Sequence, residues 1–145
     1  MSQRINIYCD TNVYIDILKD DRINSGASFR AMRLMSSNGI RPYISTQSIV
    51  DAAYIMSHTY KYDISRFKDS VRMINGNFNI VSITAEDIIA ASGSPIEDFE
   101  DAAQVSCAGR HGCRAILSAD ANLKKCSPIP VFTPEEFIAK LTGGN

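Results

Sequence analysis

Carboxylates recur in this chain at positions where they could do divalent-metal chemistry. Asp10 directly follows the apolar run "INIYC", Asp120 lies just past "RAILS", and Asp51 sits inside "TQSIVDAAYIM". The stretch "IEDFEDAAQ", residues 96 to 104, adds Glu97, Asp98, Glu100 and Asp101 within five positions. Four like charges that close together raise one another's pKa unless cations or backbone donors stabilise them. Two sources can supply that stabilisation. Helix capping is one: Asp98 as N-cap with Asp101 three residues on is a fair helix start, and acids near a helix N-terminus gain about 0.3 to 1 kcal/mol. A hard divalent cation is the other, since Mg²⁺ or Mn²⁺ takes oxygen ligands, keeps several waters and bridges to phosphate oxygens. Two such ions roughly 3.5 to 4 Å apart activate water and stabilise the departing oxygen of a phosphodiester. Asp is common where strands end, so each acid also has an ordinary turn or cap reading. That reading must explain every acid separately, whereas a metal explains them together.

The elements that would carry these acids alternate between strand and helix. Ile5, Ile7 and Cys9 alternate as a strand running into Asp10, and residues 11 to 19 read as a helix. Phe29, Met32 and Met35 recur at threefold spacing before Gly39, as on an amphipathic helix facing the core. "RPYIST" reads as a second strand, followed by a helix capped by Ser45 or Thr46 that carries Asp51 about a turn and a half in. A helix is predicted over 63 to 74 from Ile64, Phe67, Val71 and Ile74, and "FNIVSI" is a third strand. Thr84 and Asp87 form a variant capping box that opens a short helix, Gly93 and Pro95 break the chain, a further helix follows over about 98 to 110, and "RAILS" is a fourth strand. "PIPVF" is a short extended piece, and Thr133, Pro134 and Glu136 occupy N-cap, N1 and N3 of a closing helix. The alternation predicts an α/β fold, a three-layer α/β/α sandwich with a mainly parallel central sheet. Ligands bind such sheets outside the carboxyl ends of the strands, where strand order reverses. Asp10 and Asp120 should meet there, with Asp51 and the 97 to 101 acids brought to the same rim. On a helical wheel Phe99, Ala102, Ala103 and Ser106 share one face, Asp98 borders it and Asp101 flanks it. Glu100 points away and is expected to be a solvated charge.

Composition narrows the classes. A chain of 145 residues with 45% hydrophobic content is expected to form one domain over 1 to 145 with a real core. The formal net charge is -1, so a phosphate-bearing partner would have to be held by local groups or a metal. Cys9, Cys107, Cys113 and Cys126 form no CxxC pair and read as free thiols of a reducing interior. A zinc site from Cys107, His111 and Cys113 lacks a second ligand pair. His58 ends a helix and His111 adjoins Gly112, so both are expected at the surface rather than as catalytic bases. No apolar signal region or run of roughly 18 apolar residues is present, so neither a secretory leader nor a membrane span is expected, and the cytoplasm is the expected location.

With "YCDTNVYIDIL", "YISTQSIVDAAYIM", "DFEDAAQVSCA", "AILSADANLKK" and "SPIPVFTPEEFIAKL" in order, the chain resembles the PIN-domain nucleases, especially the branch with a "DFEDA" motif. The likeness runs nearly end to end. It implies a doubly wound α/β/α sandwich and metal-dependent cleavage of RNA, often as the toxin of a toxin-antitoxin pair. The family's acids fall on Asp10, Asp51, Asp101 with Asp98 as neighbour, and Asp120; Asn12 and Ser118 match polar positions that support the metal. The second acid is often Glu in the family, so the resemblance implies that the shorter Asp51 reaches the metal directly or through water. Many relatives carry a Thr-Arg or Thr-Asn dipeptide near the fourth acid and a further Asp near a Phe, where "SADANL" has Ser118, Ala119, Asn122 and Leu123.

The leading expectation is a Mg²⁺- or Mn²⁺-dependent endoribonuclease. Asp10, Asp101 and Asp120 hold metal directly, and Asp51 and Asp98 do so directly or through water. A PIN-like RNA- or protein-binding module without turnover is a second reading, motivated by the altered fourth segment. A phosphoacceptor signalling domain is a third; it would need a lysine beside the accepting Asp, for which Lys124 and Lys125 are the candidates. An antitoxin partner is implied by the resemblance. A homodimer is expected because the family often pairs, and because segment 29 to 35 and "YIMSHTY" offer apolar surface.

Overall fold

The computed structural model describes residues 5–143. In chain order the elements are β1 (Ile7–Cys9), α1 (Thr11–Leu18), α2 (Ser25–Ser37), β2 (Tyr43–Ser45), α3 (Thr46–His58), α4 (Ile64–Ile74), a 3-10 turn (Asn75–Asn77), β3 (Asn79–Val81), α5 (Ala85–Ser92), α6 (Phe99–Arg110), β4 (Ala115–Leu117), α7 (Ala121–Cys126), β5 (Val131–Phe132) and α8 (Pro134–Leu141). The strands form one sheet in the order β3-β2-β1-β4-β5, and every neighbouring pair is parallel. The fold is therefore the α/β sandwich that the sequence predicts.

Side-chain alternation along the strands divides the core in two. Ile7, Cys9, Ile44, Ala115 and Leu117 pack on one face, with Val13 and Ile15 of α1, Met32 and Met35 of α2, Met56 of α3 and Phe137 of α8. Tyr8, Ile116 and Val131 point to the other face, against Ala103 and Cys107 of α6 and Leu123 of α7. Burial on both faces is why these strands read as short continuous apolar runs. A truncation such as Leu117→Ala would cost about 2 to 5 kcal/mol at so enclosed a site.

Helix ends follow their local chemistry. Ser45 caps α3 by accepting from Ser48 N, and Thr133 with Glu136 closes a capping box around Pro134 at the start of α8. Thr84 and Asp87 form the corresponding box on α5. Asp87 does more than cap: it is fully buried and accepts from Ser106 Oγ (2.8 Å) and from Arg110 Nη2 (2.8 Å), which staples α5 to α6. Burial alone would raise this carboxyl, but the Arg110 guanidinium, the Thr84 N–H and the Ser106 hydroxyl pull harder, and the pKa falls from 3.8 to about 2. The unfolded chain thus takes up the proton at higher pH than the folded one. The stability Asp87 contributes is full above about pH 4 and is lost as pH falls toward about 2. Arg110→Met should raise the carboxyl toward or above its unfolded value, so the variant is less stable near neutral pH and loses less further stability as pH falls from about 4 to about 2. Urea unfolding at several pH values between about 2 and 5 checks it, and superimposable acid profiles of variant and wild type would contradict it.

Several expectations require correction. Phe29 does not join Met32 and Met35 in the core but is 45% exposed. Met32, Met35 and Met56 are buried, so the Met-rich segment offers little apolar surface for pairing; the sheet consumes it. Ile64 is half-exposed at the end of α4, whose inward face is Phe67 backed by Val71 and Ile74. "PIPVF" supplies a fifth strand, and α7 follows Asp120 directly, an element that six residues of sequence scarcely announce. All four cysteines are free, with Cys9, Cys107 and Cys113 buried and Cys126 exposed.

Candidate active site

The strand order places the switch point beside β1, whose neighbours are β2 on one side and β4 on the other. Asp10 leaves the carboxyl end of β1 and Ser118 the same end of β4, one position beyond the paired residues Cys9 and Leu117. Asp10 N donates to Leu117 O (3.0 Å), and Ser118 Oγ donates to Asp10 Oδ2 (2.8 Å). The other Asp10 oxygen accepts from Thr11 N (2.7 Å), which makes Asp10 the N-cap of α1. Ser118 Oγ in turn accepts from Asp120 N (3.0 Å), so one hydroxyl spaces the first acid from the fourth. Asp120 caps α7 through Asn122 N (2.8 Å), and Asp98 caps α6 through Asp101 N (2.9 Å). Capping and a second role do not compete here. Each of these caps uses one carboxylate oxygen on the backbone, and Asp98 and Asp120 keep the other for another partner.

Asp101 is different. It lies in the first turn of α6, is partly buried, and accepts no hydrogen bond from any described residue. Burial, then the charges of Asp98, Asp10, Asp120 and Glu100, push its pKa from 3.8 up to about 7. Asp10 is 7% exposed, and burial raises its carboxyl too, against the lowering bonds from Ser118 and Thr11, with Asp120 and Asp98 adding to the rise. Asp10, Asp98, Asp101 and Asp120 therefore share one electrostatic neighbourhood, as their placement along the chain predicts.

Asp51 stands apart from the clefts that hold Asp10, Asp101 and Asp120, and its link to them runs through Glu100. It accepts from Gln47 Nε2 (2.9 Å) on α3 and lines a groove with Phe99, Glu100 and Gln104. Glu100 is exposed, as the wheel expects, although its carboxyl end is partly enclosed. Gln104 Nε2 donates to Glu100 Oε1 (3.1 Å), and burial, then Asp51, Asp10 and Asp98, raise the Glu100 carboxyl. The wheel fails at Phe99, which is 50% exposed, while the buried face of α6 runs through Ala102, Ala103, Gln104 and Val105. The i, i+4 spacing of Glu100 and Gln104 is the signal that identifies them. Gln104 also anchors a buried polar network: its Oε1 accepts from Tyr8 Oη (3.1 Å) and Ser48 Oγ (3.2 Å), and Ser48 Oγ accepts from Thr11 Oγ1 (2.8 Å). That network fixes α3 and α6 against the strand that ends in Asp10. Asn12 is exposed at the mouth of the site and accepts from Arg22 Nη2 (3.3 Å).

Two clefts meet at Asp120. One, of about 300 Å³, is lined by Asp10, Asn12, Asp16, Arg22 and Asp120; the other, of about 400 Å³, by Asp98, Asp101, Asp120, Asn122 and Lys125. Neither histidine lines them. Among the described residues no three acidic, histidine or cysteine side chains stand close enough to grip one ion directly. The donor set nonetheless fits a hard divalent cation. It consists of carboxylates; burial together with their mutual repulsion pushes Asp101 up to about 7, and this is the imbalance a cation relieves. Mg²⁺ is ordinarily held by one or two carboxylates, with waters and substrate phosphate filling the rest of its shell. A spread rim suits that mode better than a closed cage. Cys107 and Cys113 are buried in the apolar core, and among the described residues they form no group of three possible metal ligands with His111. Lys124, which a phosphoacceptor would need free, bonds both Glu136 oxygens at 2.7 Å.

Comparison with known proteins agrees with this geometry. The family model described as PIN domain matches residues 6–122, a span that contains all five candidate aspartates. Ribonuclease VapC1 of Aquifex aeolicus is 28% identical over 137 residues, covering 90% of this chain and 92% of that protein. Among solved structures, VapC20 of Mycobacterium tuberculosis, described as a sarcin-ricin loop cleaving toxin, superimposes with a TM-score of 0.67 at 11% identity, over 82% of this chain and 93% of that one. VapBC2 of Rickettsia felis, solved on a DNA fragment from its promoter, gives 0.66 at 12% identity, over 89% and 98%.

Proposed function

The chain belongs to the PIN-domain family, and from that premise we propose that it is a Mg²⁺- or Mn²⁺-dependent endoribonuclease that hydrolyses RNA phosphodiester bonds as the toxin of a toxin-antitoxin pair. One observation carries the reading: carboxylates from three separate stretches of chain converge at the switch point of a parallel sheet, where the charges of Asp98 and Asp120 add to the cost of ionising the buried Asp10 and Asp101. The ribonuclease named among the relatives supplies the substrate class.

When bound, the cation supplies an activated water and offsets charge on the departing oxygen. This chain's residues do the rest. Asp10, Asp101 and Asp120 hold the ion, and Asp51 and Asp98 reach it directly or through water. Ser118 fixes the Asp10 carboxylate and the Asp120 backbone in one bonded unit, while the Thr11 N–H keeps Asp10 from rotating away. Asn12 lines the mouth beside Asp10. Glu100, held by Gln104, places a second carboxylate next to the short Asp51 side chain.

Residues 1 to 145 act as one domain in this proposal, in the cytoplasm; no helix among the described residues is long and apolar enough to cross a membrane. A small antitoxin is the expected partner, in line with the VapBC2 relative. An antitoxin gene beside this one would support that role, and its absence would favour RNA processing. A homodimer is expected through exposed apolar side chains such as Val50, Tyr54 and Ile89, which are 64%, 63% and 71% exposed. Light scattering that finds only monomer at high micromolar concentration would remove the dimer.

The test of function is a structured RNA incubated with purified protein in Mn²⁺ or Mg²⁺, and in EDTA. Cleavage should need the metal, and activity that survives EDTA would overturn the reading. Binding of metal and RNA without cleavage would favour the second reading, a silent binding module, for which Ser118 and Ala119 in place of the family's dipeptide are the motive.

A further inference from the structure

The geometry points to Arg22 as the group that receives a non-bridging phosphate oxygen of the RNA strand at the acidic rim; the identity of that substrate rests on the nuclease reading above. Arg22 stands in the connection between α1 and α2 and lines the cleft that also holds Asp10, Asn12 and Asp120. Its guanidinium is held from several sides. Nε pairs with Asp16 Oδ1 at 3.2 Å, Nη2 donates to Asn12 Oδ1 at 3.3 Å, and the Tyr60 ring centre lies 5.7 Å from Cζ. Asp16 is itself fixed, buried on α1 and accepting from Ser28 Oγ at 3.0 Å. Nη1 alone is left over. Among the described residues it is the one buried side-chain nitrogen or oxygen without a hydrogen-bond partner.

An ion pair with Asp16 accounts for Nε and for nothing else. It does not explain why a guanidinium lies along a cleft of carboxylates with a donor unused. Nη1 is closed off as the structure stands, so a phosphate reaches the end edge, Nη1 with Nη2, by displacing the Asn12 amide, and that edge then offers parallel N–H bonds that match two oxygens of a phosphate. The bond to Asn12 is long and its acceptor neutral, so an anionic oxygen can replace it. With a formal net charge of -1, the protein has no general field to draw RNA toward a rim of acids, and a cation built into that rim is the economical solution.

Arg22→Gln alone would leave the buried Asp16 uncompensated and unfold the chain for an unrelated reason. Asp16→Asn with Arg22→Gln removes both charges together, Asp16→Asn alone keeps Arg22, and Arg22→Lys keeps the ion pair while losing the fork. Each protein is checked for wild-type melting. Each is then titrated with a single-stranded RNA oligonucleotide in EDTA at several salt concentrations, and separately assayed for cleavage in Mn²⁺. The double variant should bind about tenfold more weakly than Asp16→Asn, with the slope of log affinity against log salt shallower by about 0.7, as for one lost phosphate contact on a single strand. Arg22→Lys should keep the slope and lose several-fold in affinity. If the double variant matches Asp16→Asn in slope and affinity, or if Arg22→Lys binds like wild type, Arg22 serves only Asp16 and the assignment falls. Wild type that binds RNA but cuts none in Mn²⁺ would defeat the nuclease reading while leaving these comparisons to decide Arg22. Wild type that binds no RNA in any condition would overturn both.

Discussion

Asp101→Asn is expected to raise the melting temperature of the metal-free protein at about pH 7 and above, and to abolish its response to Mg²⁺ or Mn²⁺. A carboxyl whose pKa moves from 3.8 up to about 7 on folding favours the folded state below about pH 4 and works against it as pH rises through about 7. Removing the charge removes that penalty. Solvent at the partly exposed carboxyl reduces the effect, and about 1 to 2 kcal/mol remains, worth several degrees for a chain of this size. Little is lost in exchange, because the cap of α6 is the Asp98 side chain accepting from the Asp101 backbone N–H, which Asn retains. In wild type, divalent metal at about 100 times its dissociation constant should stabilise by about 2.7 kcal/mol. Thermal melts of both proteins with metal and with EDTA check the pair of effects. A variant less stable than wild type without metal would show that Asp101 matters mainly to the helix end.

Asp10→Asn should reduce RNA cleavage on the order of 10² to 10³-fold, the scale of losing one electrostatic contributor in a water-poor site, while leaving the fold in place. Asn caps helices as well as Asp does, so the bond from Thr11 N survives. Ser118 Oγ donates to the second carboxylate oxygen in wild type and can instead accept from the Asn amide nitrogen at that position. The substitution therefore separates the two roles of this residue: the cap persists and the charge goes. Asp120→Asn, which caps α7 in the same manner, should behave alike. Circular dichroism and single-turnover cleavage measured on the same preparations test this, and a wild-type cleavage rate would place the chemistry elsewhere.

Local signals proved legible where the causes are local. Alternation in "INIYC" and "RAILS", the Thr84 and Thr133 capping boxes, and Asp98 at the start of α6 depend on neighbours a few residues away, and each has its expected structure. The rim at Asp10 and Asp120 was readable for a related reason: acids directly after short parallel strands have only one end of the sheet to occupy. What depends on packing was not readable. Phe99 reads as a core residue on the wheel, yet the α6 face that packs on the sheet is set by Gln104 and its bonds to Tyr8 and Ser48. Met32, Met35 and Met56 looked available for pairing until the second layer of the sandwich covered them. Arg22 gives no local sign at all, since its meaning comes from Asp16, Asn12 and Tyr60 meeting around it.

The central claim is that acids from separate elements build one cation site although no three of them grip an ion as they stand. Direct titration of Mn²⁺ into the protein, followed by the fall in the free-ion paramagnetic resonance signal, measures this without reference to RNA. Wild type should bind Mn²⁺ at the rim, and Asp10→Asn, Asp101→Asn and Asp120→Asn should each weaken that binding by about tenfold or more. Equal Mn²⁺ binding by wild type and all three variants would contradict the account.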